Sequence, residues 1–198
     1  MAFKYVNMAD ITRDRSAARR SGSSREGAEE AQPAQPSADL ITHVELLFFA
    51  YRDFTGDPDA VLAQYGFGRA HHRVLHFVYR NPGLRVANLL EILKITKQSL
   101  SRVLKQLIGE GFITQRAGAE DRRERLLYAT LKGTRLAERL MALQVSRVAA
   151  ALKAAGPDAE AATKRFLLAM IADDDRAQVE ALVRIAEAGA KTSEEDRS

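Results

Sequence analysis

The stretch Ile95-Thr96-Lys97-Gln98-Ser99-Leu100-Ser101-Arg102-Val103-Leu104-Lys105-Gln106-Leu107-Ile108 decides the architecture. Its apolar residues Leu100, Val103, Leu104, Leu107 and Ile108 recur at the i, i+3, i+4, i+7, i+8 spacing of a single buried helical stripe. Thr96 stands before the stripe as an N-cap whose hydroxyl can accept an orphan backbone N–H. Gly111 stands after it as a C-terminal cap. At about 100° per residue, Gln98, Arg102 and Lys105 fall opposite the stripe, with Ser101 at its border and Lys97 on the exposed first turn. One face is therefore wholly apolar, and the other is a row of hydrogen-bond donors.

On either side of this helix the pattern is equally regular. Upstream, apolar residues from Ile41 to Phe54 follow helical spacing from about Asp39, and Gly56-Asp57-Pro58 is expected to end that helix. A short helix over Pro58–Tyr65, a helix over Gly68–Tyr79, an extended pair Leu84–Arg85 and a helix over Val86–Leu93 complete the approach. Downstream, Phe112–Arg116 and Arg123–Ala129 read as two strands joined by the polar segment Ala117–Arg122. Thr130 then caps a long helix to about Ala155, and a helical region, 156–190, follows the break at Gly156-Pro157. Residues 1–37 contain too little apolar surface to offset their ordering entropy and read as a disordered tail; residues 191–198 read as a frayed end.

Helix, tight connection, helix and β-hairpin, in that order, are the parts of a winged helix-turn-helix. The expected fold is mainly α with a small β-hairpin wing, the winged domain spanning 38–155. The chain's 198 residues carry 30 basic and 26 acidic side chains, but the excess is concentrated. Residues 69–135 hold 14 basic and 5 acidic side chains, whereas the segments 1–39, 40–68 and 136–198 sum to 0, −3 and −2. Such a band suits a polyanion; a solvated basic face is the plainer reading of charge alone. The major groove admits one helix, whose N-terminal residues reach the base edges. Arg122 and Arg123 in the hairpin loop, with Arg116 and Arg125 on the strands, suit the negative potential of a minor groove.

With these elements in place, the sequence resembles the MarR family of bacterial transcription regulators. The residues that carry the resemblance are the helix 95–104, then Leu107, Gly111-Phe112-Ile113 and Arg116, then Asp121-Arg122-Arg123, and finally the run Leu126-Leu127-Tyr128-Ala129-Thr130-Leu131-Lys132-Gly133. They are similar to the family's order of a glycine before an apolar pair, an arginine, D-x-R, and L-T-x-x-G. One departure is Ala129 where the family often has Leu. The run His71-His72-Arg73-Val74-Leu75-His76 and the helix beginning Lys97-Gln98-Ser99-Leu100 resemble the PetP branch.

The resemblance implies an intertwined helical homodimer, made by an N-terminal dimerisation helix and a C-terminal dimerisation helix at 156–190. It also implies binding of a pseudo-palindromic site on double-stranded DNA through the helix 96–110 and the wing 117–123. The expected DNA-binding residues are Thr96, Lys97, Gln98, Ser99, Ser101, Arg102 and Lys105 on the helix, and Arg116, Asp121, Arg122 and Arg123 around the wing. On the family pattern, Arg123 enters the minor groove and Asp121 orients the wing through ion pairs. Arg116 has a second reading, as a structural arginine pairing Glu110 or Asp121.

All four histidines lie at 43, 71, 72 and 76. His72 and His76 are spaced i, i+4, which can place two imidazoles on one metal, but no further ligand stands at diagnostic spacing. Structural histidines are the plain reading, and His43, His72 and His76 as the lining of a small-molecule effector pocket the sharper one. No cofactor and no metal are expected. The absence of cysteine excludes disulfides, thiolate metal sites and cysteine nucleophiles. No nucleophile elbow, glycine-rich phosphate loop or HExxH motif is present, so the expected class is a binding protein and not an enzyme. A non-specific architectural nucleic-acid-binding protein is the alternative to a regulator. No apolar run approaches the ~20 residues that cross a bilayer, and the expected place is the cytoplasm, with no membrane partner.

Overall fold

The computed structural model describes residues 37–118, 121 and 123–183. The elements run α1 (Ala38–Ala63), α2 (Arg69–Arg80), β1 (Leu84–Arg85), α3 (Val86–Leu93), α4 (Lys97–Gly109), β2 (Ile113–Ala117), β3 (Arg125–Ala129), α5 (Leu131–Ala155) and α6 (Ala159–Ala169). A further helix, α7, covers 173–183 up to the last described residue. The sheet has the order β1-β3-β2, antiparallel throughout, with Leu84 opposite Leu127 and Ile113 opposite Ala129. The mainly helical winged architecture is as expected. The tail 1–36, the wing residue Arg122 and the end 184–198 lie outside the described residues.

The core is built where the stripe of α4 meets α2, α3, α5 and the sheet. Leu75, Val78, Leu89, Leu100, Leu107, Phe112, Leu127 and Leu140 are all fully or almost fully buried there. Both ends of α4 form as its sequence predicts. Thr96 Oγ1 accepts the Ser99 N–H at 3.1 Å. At the other end Gly111 adopts φ +75°. Phe112 N–H then reaches back to Leu107 O at 2.8 Å and Gly111 N–H to Ile108 O at 3.0 Å. These two bonds are the paired closure of a Schellman cap, and they turn the chain directly from α4 into β2.

At the junction between β3 and α5 the backbones approach closely. Thr130 Oγ1 accepts the Gly133 N–H at 3.1 Å and donates to Gly111 O at 2.6 Å, while Thr130 N–H donates to Phe112 O at 3.0 Å. One threonine thus caps α5 and ties it to the chain leaving α4. Gly133 lies so close to this turn that a Cβ built on it would overlap the Phe112 carbonyl. The threonine and glycine of the motif therefore have separate physical causes, a cap and a close backbone approach. Ala129, the departure from the family pattern, pairs with Ile113 and is half-buried.

Two expectations are corrected. The first helix does not stop at Gly56-Asp57-Pro58, and no separate helix begins at Pro58. Instead α1 continues through Pro58 to Ala63. A proline inside a helix costs about 3 kcal/mol. Burial on its far side is larger, because Pro58, Val61 and Leu62 all enter the core and each large apolar side chain gains roughly 1.5–3 kcal/mol. Asp57 also pairs with Arg147 of α5 at 2.7 Å, holding this segment against its neighbour.

The second correction concerns the C-terminal stretch read as one dimerisation helix. It is two helices with a break at Ile171-Ala172. Arg176 clasps the break, donating to Leu168 O at 3.3 Å and Ile171 O at 3.1 Å while pairing with Asp173 at 2.8 Å. Asp173, Asp174 and Asp175 fall in the first turn of α7, where the helix dipole favours negative charge.

Candidate nucleic-acid interface

The cap at Thr96 fixes where α4 begins, and the stripe fixes which face turns inward. Leu100, Val103, Leu104 and Leu107 are buried. Thr96, Lys97, Gln98, Ser99, Ser101, Arg102 and Lys105 are all exposed. Thr96 and Ser99 serve the helix end, their hydroxyls 2.9 Å apart in addition to the cap bond. Lys97, Gln98, Ser101, Arg102 and Lys105 engage no other described side chain. Five polar side chains thus project from one face of a helix whose opposite face is buried in the core.

The turn before α4 is held from two sides. Lys94 takes the left-handed conformation at φ 51°, unusual for a residue other than glycine. Arg73 of α2 donates to Leu93 O at 3.2 Å, and Lys94 Nζ meets Asp175 of α7 at 2.9 Å. Sequence reading missed both supports. The i, i+4 periodicity of α2 does not show that Arg73 reaches across to α3, and Asp175 lies far along the chain.

In the wing, Arg123 is exposed and its backbone N–H donates to Asp121 Oδ1 at 2.8 Å. Asp121 O accepts the Glu124 N–H at 3.0 Å, and Glu124 O accepts the Gly118 N–H at 3.2 Å. The aspartate orients the wing through a side-chain-to-backbone turn. The ion pair at the base of the wing is Arg85 to Glu124, at 3.1 Å, which sequence reading did not identify. Arg116 pairs with neither Glu110 nor Asp121. Its guanidinium lies 4.9 Å from the centre of the Tyr128 ring on the neighbouring strand, a cation–π contact that leaves the residue exposed.

His72 is buried and His76 half-buried, and both line a cavity of about 370 Å³ between α1, α2 and α5. Tyr51, Phe54 and Phe77 supply its apolar wall and Arg69, Arg73 and Gln144 its polar groups. His43 does not join them. It is exposed on α1, with its Nδ1 donating to Asp39 O at 2.6 Å. Among the described residues no three His, Asp or Glu side chains stand close enough to hold a metal ion.

Burial holds the His72 imidazole below its ordinary pKa against the opposing pull of Asp59; burial, then the positive potential of His72 and Arg80, does the same for His76. The native state therefore binds fewer protons than the unfolded chain once pH falls below the unfolded value of about 6.5. Stability is expected to be full above that pH and to fall progressively as the pH drops below it. Urea midpoints measured across this range check it: His76→Gln should flatten the decline, and an unchanged slope would contradict the assignment.

The sequence model of the MarR family matches residues 65–124. The HTH-type transcriptional regulator PetP of Rhodobacter capsulatus is 50% identical over 128 residues, which span 65% of this chain and 77% of that protein. The crystal structure of the transcriptional regulator SlyA superposes with a TM-score of 0.55 at 20% identity, covering 67% of this chain and 92% of its own. A SlyA-like regulator from Listeria monocytogenes gives 0.53 at 18% identity, covering 79% and 95%. The two structural likenesses show the same fold.

Proposed function

The chain belongs to the MarR family of transcription regulators, on its PetP branch, and from this premise we propose that it acts as a homodimer binding a pseudo-palindromic duplex site. The observation that carries the reading is the unengaged donor face of α4, presented opposite a fully buried stripe and followed in the chain by an arginine-bearing wing. Gln98 and Arg102 read base edges in the major groove, where a bidentate pair discriminates one base from another. Lys97, Ser101 and Lys105 flank them, and Thr96 and Ser99 present the helix N-terminus to phosphate. Arg123, with Arg122 beside it in sequence, enters the minor groove, and Arg116 stands at its edge on Tyr128.

Dimerisation rests on apolar surface. Leu40, Ile41, Val44, Phe48 and Phe49 of α1 are exposed, as are Phe166 and Leu167 of α6 and Met170 at its C-cap. A monomer rarely leaves so many large apolar side chains of two helices in water, and the usual solution is a two-fold partner. The cavity that His72 and His76 line is the place for a small-molecule effector. No helix among the described residues is long and apolar enough to cross a membrane, and a DNA-bound role places the protein in the cytoplasm.

Two measurements test this reading. Sedimentation at micromolar concentration is expected to give about twice the 21.9 kDa chain mass, and a clean monomer contradicts it. Selection from random duplex DNA is expected to enrich two inverted half-sites with centres about one helical turn apart. Unenriched pools favour the architectural alternative, in which the same basic face binds DNA without regard to sequence.

A further inference from the structure

We infer that His71 of α2, which reaches α4 through Gln106, is a positioning residue that sets the roll of the recognition helix. The inference rests on the site-specific reading above and goes beyond it.

The argument begins at the start of α2. Its N-cap is Gly68, which has no side chain with which to cap. His71 at the third helical position reaches back instead, and the Gly68 N–H donates to its Nδ1 at 3.1 Å. A ring nitrogen that accepts carries no hydrogen, so the neutral imidazole bears its proton on Nε2. That N–H donates to Gln106 Oε1 of α4 at 2.8 Å. With Oε1 accepting, the amide of Gln106 is oriented, and its Nε2 donates to Glu110 Oε1 at 3.1 Å. Phe67 lies flat against the imidazole, with centroids 4.8 Å apart and planes 7° apart, so the ring resists rotation. The relay runs in one direction from the backbone of α2 to the end of α4.

Directionality is what the rest of the α2–α4 contact lacks. Leu100, Val103, Leu104 and Leu107 pack against an apolar core, and apolar burial is non-directional. Such a contact fixes which face is inward but gives way to a small roll. Gln106 stands one turn beyond Arg102 and two beyond Gln98 on the same edge of the helix. A roll of about 10° displaces a group ~6 Å from the helix axis by about 1 Å. Base recognition tolerates roughly 0.5 Å. The His71–Gln106 bond supplies the constraint that apolar packing does not.

The test compares His71→Phe, which keeps a ring against Phe67 and removes both hydrogen bonds, with His71→Gln. Glutamine at the third position can accept the Gly68 N–H and still donate to Gln106. Affinities are measured for a duplex selected by the parent protein and for its scrambled counterpart, beside the melting temperature. His71→Phe is expected to lower the selected-to-scrambled ratio by about three- to tenfold. Gln106→Leu should do the same, the double variant should be no worse than either, and His71→Gln should restore most of the ratio.

A discriminating parent whose His71→Phe variant discriminates equally overturns the inference alone. A parent that binds both duplexes alike overturns the site-specific reading, and the inference with it. Nitrogen NMR of the intact parent supplies a check that needs no variant. The His71 ring is expected as the Nε2–H tautomer at neutral pH, and an Nδ1–H ring overturns the relay.

Discussion

Gly133→Ala is expected to destabilise the protein by about 3 kcal/mol or more, near the upper end of what overpacking costs. The sign is the reverse of the usual one, since alanine in a helix is ordinarily favoured over glycine by about 1 kcal/mol. Gly133 is buried in the first turn of α5, and the added methyl would overlap the Phe112 carbonyl oxygen, with Leu75 Cδ1 at 3.4 Å on another side. The carbonyl cannot retreat easily. It accepts the Thr130 N–H at 3.0 Å, and Phe112 itself is 1% exposed. Any shift propagates to the Schellman cap of α4 and to the root of the wing, so DNA affinity is expected to fall with stability. Thermal melting checks it: a loss of about 3 kcal/mol corresponds to roughly 10 °C in a chain of this size. A variant as stable as the parent would show that the approach of α5 to β2 is looser than described.

The second large effect separates reading from positioning within the DNA contact. Gln98→Ala and Arg102→Ala are each expected to remove about 1–3 kcal/mol of discrimination against single-base variants of the site, because in the proposed docking each side chain supplies a base-edge contact in the major groove. Arg123→Ala is expected instead to weaken binding to most sequences together. Its salt slope should be shallower by about one released counterion per wing. The geometry gives the reason. Gln98 and Arg102 stand on a helix fixed by a buried stripe and a capped end, whereas Arg123 extends from a turn held by Asp121. Titration of each variant against the site and a mismatch panel at several salt concentrations distinguishes the two behaviours. Loss of base preference in Arg123→Ala, with preference intact in the helix variants, would reverse the assignment.

What the sequence disclosed follows from how local each cause is. The cap at Thr96, the stripe of α4 and the stop at Gly111 involve residues within a turn of one another, and periodicity and capping chemistry expose them. Thr130 and Gly133 were visible as a pattern, but the close approach to Phe112 that makes the glycine necessary is tertiary. Pro58 reads locally as a helix breaker, and only the burial of Val61 and Leu62 beyond it explains why α1 continues. The charge excess across 69–135 marked the segment that holds α4 and the wing without sorting its cations. Arg69, Arg73 and Arg85 are engaged with Asp59, Leu93 O and Glu124, whereas Lys97, Arg102 and Lys105 are not. His71 and Gln106 lie 35 positions apart, and nothing in either segment's pattern announces that they meet. His43 shows the converse, since residue type grouped it with His72 and His76 while the fold kept it outside their cavity.

The most direct measurement of the central claim is a competition titration at near-physiological salt between a selected duplex and a scrambled duplex of equal length and composition. A regulator that reads its site through α4 is expected to prefer the selected duplex by about a thousandfold or more. A ratio near one, with both affinities falling equally steeply with salt, would contradict it, since that is the signature of binding through phosphates alone.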